Sequence, residues 1–472
     1  MLSCVGFRGV PMSIARRDFL VRSAALGLGF AGLGRLQARG ASISHLAGSA
    51  NADGFGPLVP DPYRICDLPA GFSYQILSRQ GETMDDGLLV PGRHDGMAAF
   101  EGHNGLTILV RNHEVEYRDT RQGGFGLRDE LFSKIDRARV YDAGPKGDTP
   151  AQGGTTTLFY NTKTRKLERH FMSLAGTVYN CAGGPTPWGS WLTCEETTVG
   201  IKDGAGRDHG WVFEVPARDH VGLADPVPLK AMGRFRHEAV AFDPRSGICY
   251  LTEDRDEGLL YRFIATTPGR LRDGGRLQAL ALADRPSHDT TNWSGQPTTR
   301  RGEPLACTWI DLEEIEAPKD DLRNRGFVAG AARFARGEGC WFGGDALYFC
   351  CTSGGPKKKG QLFRYRPGAG ENAGDGGTLE LFVEPDDASI MDNPDNITAA
   401  PWGDLIVCED GAKDNYLLGI TPAGEVYKFA RTPLDEHEWA GACFSPDGST
   451  MFVNSQRLGI TLAIRGPWKK RD

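Results

Sequence analysis

Several motifs that mark common hydrolases and metal enzymes are missing from this 472-residue sequence. It contains no G-x-S-x-G segment and no phosphate-binding loop, which excludes the usual serine hydrolases and P-loop nucleotide enzymes. It also lacks an H-E-x-x-H motif and any C-x-x-C pair, which argues against a site of zinc alone. Any metal or catalytic site is therefore expected to combine residues from distant parts of the chain.

Long helical patterns and basic charge are also scarce. No segment longer than about ten residues keeps a helical period, apart from a candidate helix near 311–325. Short apolar or alternating runs separated by Asp-Pro, Asp-Gly and Gly-Gly turns fill the rest, and the 63 glycines suit such turns. The pattern predicts an all-β fold. The net charge of −7 gives no reason to expect a nucleic-acid partner.

The N-terminus has the pattern of an export signal. Arg16 and Arg17 precede a moderately apolar stretch, residues 24–33, which is typical of twin-arginine signals. This stretch is too short for a stable membrane anchor. We expect residues 1–45 to be the signal and a linker, and residues 46–472 to form one catalytic domain in the periplasm or outside the cell. The twin-arginine translocase would then be a partner during export.

One hairpin pattern recurs along the rest of the chain: a strand, a turn with glycine, a second strand, and then an acidic or amide residue. Residues 238–253, EAVAFDPRSGICYLTE, show it most clearly, and residues 395–409 repeat it. The other copies contain Asp95, Cys181, Glu338 and Trp439. Six copies of one marked hairpin predict a six-bladed β-propeller with long insertions between blades.

The first strand of each propeller blade lines the central channel, so the starts of these strands gather at one mouth. Here the starts hold carboxylates and one thiol: Asp95, Cys181, Glu238, Glu338 and Asp395, with Glu438 as a sixth candidate. Because like charges at such distances repel, cations are expected to neutralise them. Carboxylates favour calcium, magnesium or ferric iron, whereas a thiolate favours a transition metal. The residues therefore predict a mixed metal site.

Other chemistry-bearing residues have simpler interpretations. Glu253 and Glu409 follow second strands, and we interpret them as solvated strand ends. Most of the ten cysteines after the signal lie in apolar runs, which is typical of buried free thiols. Cys181 differs because it opens its run among Asn, Gly and Pro.

Four segments resemble the PhoX family of bacterial alkaline phosphatases. They are NCAGGPTPWGSWLTCEE (180–196), GRFRHEA (233–239), RGEG (336–339) and PDNITAAPWGDLIVCEDG (394–411). The resemblance extends over residues 58–463. It implies a six-bladed propeller that is exported by the twin-arginine route and hydrolyses phosphomonoesters at a centre of iron (Fe3+) and calcium ions.

The resemblance also implies roles for individual residues. Cys181 would bridge two iron ions as a thiolate. Arg336 would hold the phosphate, and Asn112 would touch the substrate. The carboxylates that bind metal would be Glu114, Glu196, Glu238, Glu338 and Asp395.

Two other functions fit the same acidic mouth. One is a calcium-dependent propeller hydrolase of lactones or other esters, for which Cys181 would be dispensable. The other is a non-catalytic binding propeller whose metals are structural. Our leading hypothesis is a monomeric, metal-dependent phosphatase whose substrate is a small phosphate ester.

Overall fold

Antiparallel strands dominate the computed structural model, which describes residues 54–219, 221–369, 376–434 and 437–469. The alternating runs form strands because one face of each can be buried while the turns reverse the chain. The strands are β1 (Leu58–Val59), β2 (Leu68–Pro69), β3 (Ser73–Arg79), β4 (His94–Glu101), β5 (Leu106–His113), β6 (Gly153–Asn161), β7 (Lys166–Thr177), β8 (Asn180–Pro185), β9 (Ser190–Glu195), β10 (Val212–Pro216), β11 (His237–Phe242), β12 (Cys249–Glu253), β13 (Gly258–Ala265), β14 (Gly275–Leu282), β15 (Leu305–Asp311), β16 (Arg333–Phe334), β17 (Gly337–Gly343), β18 (Ala346–Cys351), β19 (Gln361–Arg366), β20 (Thr378–Val383), β21 (Pro394–Ala399), β22 (Leu405–Glu409), β23 (Asn415–Ile420), β24 (Val426–Thr432), β25 (Trp439–Phe444), β26 (Met451–Ser455) and β27 (Ile460–Arg465).

Helices are short in these described ranges. The α-helix α1 spans Leu322–Val328. The 3-10 turns are His103–Gly105, Phe132–Lys134, Arg137–Arg139, Ile201–Asp203, Lys230–Met232 and Leu271–Asp273. The predicted boundaries of the helix near 311–325 were wrong, because β15 runs to Asp311 and the helix starts only after Pro318. Proline is poorly tolerated in a helix interior, which explains the later start.

The strands form sheets that follow the chain order closely. Three sheets have four strands each, β4–β7, β21–β24 and β25-β26-β27-β3, and β8–β10 form a three-stranded sheet. The strands β11–β14 and β17–β20 are joined through β15 into one larger sheet, and β16 pairs with β13. The all-β prediction is confirmed, and the arrangement resembles a propeller.

The first strands of the six hairpins contact one another in a closed series. β4 contacts β8 and β25, β11 contacts β8 and β17, and β21 contacts β17 and β25. Since every hairpin contributes its first strand to this series, residues at the same position of different hairpins approach each other. The N-terminal part completes the last sheet, because β3 pairs antiparallel with β27.

Glycines allow the first strands to approach so closely. A Cβ atom on Gly96 in β4 would lie 2.6 Å from the Cα atom of Ala182 in β8. A Cβ atom on Gly339 in β17 would lie 2.6 Å from the Cα atom of Asn396 in β21. Larger residues would push the strands apart at these two points. The glycines that follow Asp95 and Glu338 in the sequence are therefore needed for packing.

Apolar side chains fill the space between neighbouring sheets. Leu192 of β9, Val240 of β11 and Leu251 of β12 belong to one such cluster, and all are buried. The burial of these side chains supplies the main stabilisation of the fold. The cysteines of the described residues are all buried, as the apolar runs predicted for most of them.

The predicted export signal, residues 1–45, lies outside the described residues. Within the described residues, no helix has both the length and the apolar composition that crossing a membrane requires.

Candidate metal centre

Five of the six first strands carry a β-bulge at the same point, close to their start. In β4, His94 pairs with His113 and the next pair is Met97 with Arg111, so Asp95 and its neighbour oppose a single residue. The same shift occurs in β8, β11, β17 and β21, and in β25 it comes one residue later. We call the residues at the Asp95 position the bulge residues: Asp95, Cys181, Glu238, Glu338, Asp395 and Ala440.

Two further sets of residues repeat around these bulges. Directly after each second strand comes a strand-end residue, and the six are Glu114, Glu196, Asp254, Thr352, Asp410 and Gln456. Two positions before each bulge residue comes a rim residue, and the six are Arg93, Tyr179, Arg236, Arg336, Asn393 and Glu438. In every hairpin the strand-end N–H donates to the carbonyl oxygen of the rim residue, over 2.9 to 3.4 Å. One backbone geometry therefore presents three side chains from each hairpin.

This geometry corrects one assignment made from the sequence. Glu438 was a candidate for the start of the sixth first strand, but it is a rim residue. Ala440 occupies the place that corresponds to Asp95, although the bulge of β25 itself falls on Gly441 and Ala442. Trp439 pairs with Ser455 as His94 pairs with His113 in β4. Glu438 therefore comes directly before that pair, whereas Asp95 comes directly after it.

The predicted ligands converge although they are far apart in the sequence. They lie in three groups of three residues, and within each group one ligand atom of every residue is within 4.8 Å of those of the other two. The groups are Glu114 with Cys181 and Glu196, Glu238 with Glu338 and Asp395, and Asp95 with Glu114 and Glu438. The Cys181 Sγ atom lies 3.3 Å from Oε1 of Glu238 and 3.8 Å from Oδ1 of Asp95. We call these residues together the acidic cluster.

Burial makes negative charge costly in the acidic cluster. It raises the pKa of Glu114 to about 7 and that of Asp395 to about 8, and neighbouring carboxylates such as Asp410 add to both shifts. Burial and then Asp95 and Glu238 raise the pKa of the Cys181 thiol well above its usual value. Bound cations would stabilise the charged forms, which is the condition for these groups to act as ligands.

The side chains fit a cation in chemistry as well as in position. Oε2 of Glu238 is buried and has no hydrogen-bond donor among the described residues. An acceptor in that state is costly unless a cation or proton satisfies it. Carboxylate oxygens suit calcium or ferric iron, and the Cys181 sulfur suits a transition metal. The donor set is therefore that of a mixed metal centre.

Arg336 contacts the acidic cluster directly. Its Nε and Nη2 atoms donate to the two carboxylate oxygens of Asp254 at 2.7 and 2.9 Å, and Nη2 also donates to Oε1 of Glu338 at 2.9 Å. Asp254 is buried, and burial pushes its pKa upward, but Arg336 together with Glu196 and Arg236 outweighs burial and lowers the pKa. The guanidinium is thus held in one orientation and kept charged.

Asn112 is placed differently from the predicted substrate contact. It is fully buried, and its Nδ2 atom donates to the carbonyl oxygens of Cys181 and Ala182 at 3.0 and 2.7 Å. Its Oδ1 atom accepts from Nε1 of Trp191 at 2.8 Å. Its side-chain polar atoms therefore all have partners within the protein, in the backbone of β8 and in the Trp191 side chain of β9. A contact of Asn112 with substrate stays a prediction.

The interpretation of Glu253 and Glu409 as solvated strand ends was wrong, because both side chains are buried. Glu253 accepts from the Tyr261 hydroxyl at 2.6 Å, and Glu409 accepts from the backbone N–H of Asp392 and of Tyr416 at 2.7 and 2.9 Å. These carboxylates shape their own hairpins. The acids that reach the cluster are the next residues in the chain, Asp254 and Asp410.

Sequence reasoning missed Asp254 and Asp410, although a signal was present. Glu196 directly follows the second strand of its hairpin. Asp254 and Asp410 hold the same place in their own hairpins, as the second residues of the Glu-Asp pairs at 253–254 and 409–410. Aligning the hairpins on the strand ends, rather than on the turn glycines, would have found both residues.

The family relationship follows from the sequence as a whole. The profile of the family described as "Alkaline phosphatase PhoX" matches residues 53–162 and 150–459. The chain belongs to the PhoX alkaline phosphatase family. PhoX proteins of this family are metal-dependent alkaline phosphatases, and the chain is accordingly a phosphoric monoester hydrolase. No curated protein matches the chain significantly.

One solved structure agrees with the fold. PhoX of Pseudomonas fluorescens, solved in complex with vanadate, a transition-state analogue, is 19% identical and superimposes with a TM-score of 0.65. That match covers 85% of this chain and 96% of the PhoX chain. A gluconolactonase of Xanthomonas campestris is 11% identical, with coverage of 89% and 100% and a TM-score of only 0.39.

Proposed function

We propose that the acidic cluster is the phosphatase centre and that it holds iron and calcium. The metal ligands are Cys181, Glu114, Glu196, Glu238, Glu338 and Asp395. The observation that supports this set most strongly is their convergence, since two of the groups within 4.8 Å consist entirely of these six residues. Iron is the ion suggested by the single sulfur donor, and calcium is the one suggested by the surplus of carboxylates.

The ions, when bound, would supply positive charge that polarises the phosphate and activates a nucleophile. The protein's own part is electrostatic and geometric. Without cations the buried carboxylates repel a phosphate dianion, so substrate binding depends on the metals being present. The closed series of bulges holds all ligands on the edges of rigid strands, which limits their movement during turnover.

Arg336 would bind the phosphoryl group beside the metals. Asp254 and Glu338 hold its Nε and Nη2 atoms, which leaves Nη1 without a hydrogen bond among the described residues. A guanidinium so fixed can donate to a phosphate oxygen without first losing rotational freedom. Asn112 would act indirectly, by fixing the backbone on both sides of the Cys181 carbonyl.

We also propose that the chain forms six blades. The repeated bulge, strand-end and rim positions support this count, with the joined sheet of β11–β14 and β17–β20 as two blades connected through β15.

Residues 1–45 would direct a monomer through the twin-arginine translocase to the periplasm or beyond, with no membrane anchor. The Arg16-Arg17 pair and the short apolar stretch support that route.

The decisive experiment is metal analysis of the purified protein together with a phosphatase assay. We expect iron and calcium in the protein, a visible thiolate-to-iron absorption band, and hydrolysis of p-nitrophenyl phosphate that stops after chelation and returns with the two metals. Full activity with calcium alone and no iron would rule out the mixed centre. An absence of turnover with any metal would rule out the phosphatase.

A further inference from the structure

Three of the six rim residues are arginines: Arg93, Arg236 and Arg336. The carbonyl oxygen of each accepts a hydrogen bond from the strand-end N–H of its own hairpin, so the three side chains leave the backbone at equivalent places. The proposed function uses only Arg336. Arg236 belongs to β11's hairpin, which is next to that of Arg336, because β11 contacts β17.

Arg236 and Arg336 are connected through two buried carboxylates. Nη2 of Arg236 lies 3.2 Å from Oε1 of Glu196, and its Nε donates to the Glu196 carbonyl oxygen at 3.1 Å. Glu196 in turn shares a hydrogen bond with Asp254, whose carboxylate binds Arg336. The two guanidiniums therefore flank one pair of carboxylates at the same edge of the acidic cluster.

Both guanidiniums keep donors for a ligand. Among the described residues, neither Nη1 atom makes a hydrogen bond, and the side chains are 32% and 39% exposed. A terminal phosphoryl group offers three oxygens and two negative charges, which matches two guanidinium donors.

We propose that Arg236 is a second phosphate-binding residue, which together with Arg336 holds the dianionic phosphoryl group of a phosphomonoester. This proposal rests on the proposed function of the acidic cluster. Arg93 is the natural comparison, because its hairpin lies three first strands away from that of Arg336 and presents it at the same rim position. Its Nη1 donates to Gln456 at 2.9 Å. It lies near the acidic cluster but is not beside Arg336.

The test compares metal-loaded R236Q, R236K and R93Q proteins with the wild type. The measurements are the Kd for inorganic phosphate by calorimetry, the KM and kcat for p-nitrophenyl phosphate, and the metal content. We expect R236Q to weaken phosphate binding and raise KM by about tenfold, the effect of losing one charged hydrogen-bond donor. R236K should recover part of this loss, and R93Q should change the phosphate Kd less than about threefold.

Two results would overturn the proposal. One is a phosphate Kd of R236Q equal to that of the wild type. The other is a loss of phosphate affinity in R93Q as large as in R236Q, which would show that only the overall positive charge near the acidic cluster matters. If R236Q loses metal, R236K decides, since weaker phosphate binding at full metal content supports the role and unchanged binding refutes it. Wild-type protein that turns over no phosphate ester would refute the proposed function instead. Calorimetry needs no turnover and would still decide the role of Arg236.

Discussion

The sulfur of Cys181 lies 3.3 Å from Oε1 of Glu238, although 57 residues separate the two in the chain. Both are bulge residues of neighbouring first strands, β8 and β11. The contact therefore follows from two local irregularities that occur at the same point of two hairpins. It brings a soft and a hard ligand to one place.

Replacing Cys181 by alanine should remove iron and spare most of the calcium. The carboxylates that remain suit calcium, whereas no other described cysteine belongs to the metal-capable groups. We expect kcat to fall by at least about a hundredfold and the visible absorption band to disappear. Elemental analysis and absorption spectra measure this, with C443A as the control, since Cys443 is buried elsewhere. Full activity of C181A would favour the calcium-only hydrolase.

Replacing Arg336 by glutamine should raise KM and lower kcat while the metal content stays normal. The variant loses a charged donor to substrate, and it also leaves the buried Asp254 without its partner. The double variant R336Q/D254N removes both charges and separates these effects. If R336Q lost its metals and the double variant regained them without activity, the stabilising and substrate roles would both be supported. Unchanged kinetics in R336Q would exclude the phosphate contact.

Asn112→Ala should destabilise the protein and weaken metal binding rather than act on KM alone. The variant removes two donors to the carbonyl oxygens of Cys181 and Ala182 and one acceptor for Trp191. Leaving such buried groups unsatisfied costs about 1–3 kcal/mol each, so a loss of roughly 3 kcal/mol in unfolding free energy is expected. Urea unfolding and metal titration measure it. A variant of normal stability and metal content with a raised KM would restore the substrate role.

His209 should make stability fall at alkaline pH. Burial opposes its charge, but Glu195 at 2.6 Å and Asp142 at 3.2 Å outweigh burial and raise its pKa to about 9. A raised histidine pKa stabilises the fold fully below the unfolded value near 6.5, and this stabilisation disappears as the pH rises through about 9. It amounts to roughly 3 kcal/mol. Unfolding free energies at pH 6 and pH 10 test this.

The control for this pH effect is His209→Gln, which keeps one donor but cannot be charged. The variant should be less stable than the wild type at pH 6 and should approach it at pH 10. Equal pH dependence in both proteins would contradict the assignment to His209. The metal content should be measured at both pH values, so that loss of metal is not mistaken for loss of the imidazolium charge.

Chelation should lower the thermal midpoint as well as abolish activity. The acidic cluster contains carboxylates within 4.8 Å of one another, and bound cations would relieve the repulsion between them. Binding that favours the folded state stabilises by mass action, so calcium added back should raise the midpoint in a concentration-dependent way. An unchanged midpoint after complete removal of metal would argue against metals in the acidic cluster. The variant E303Q changes an acid outside the cluster and should respond as the wild type does.

Much of the site could be predicted because a hairpin is a local structure. The alternation of apolar residues and the turn glycines set which residues begin each first strand, and five of the bulge residues were found from those positions. The contacts that Asn112 and Glu253 make inside the protein could not be predicted in this way. A buried amide or carboxylate has the same sequence context whether it faces a ligand or a neighbouring backbone, and only the contacts distinguish the two.

The sequence by itself determined the all-β class, the six repeated hairpins and the acidic or sulfur residues near their starts, since each depends on residues a few positions apart. The tertiary structure decided which of these side chains meet. The closed series of first strands, pressed together at Gly96 and Gly339, brings Cys181 to Glu238. It also sets Arg236 against Glu196, which shares a hydrogen bond with Asp254, the partner of Arg336. Such contacts depend on how separate hairpins pack against each other, and no local pattern specifies that packing.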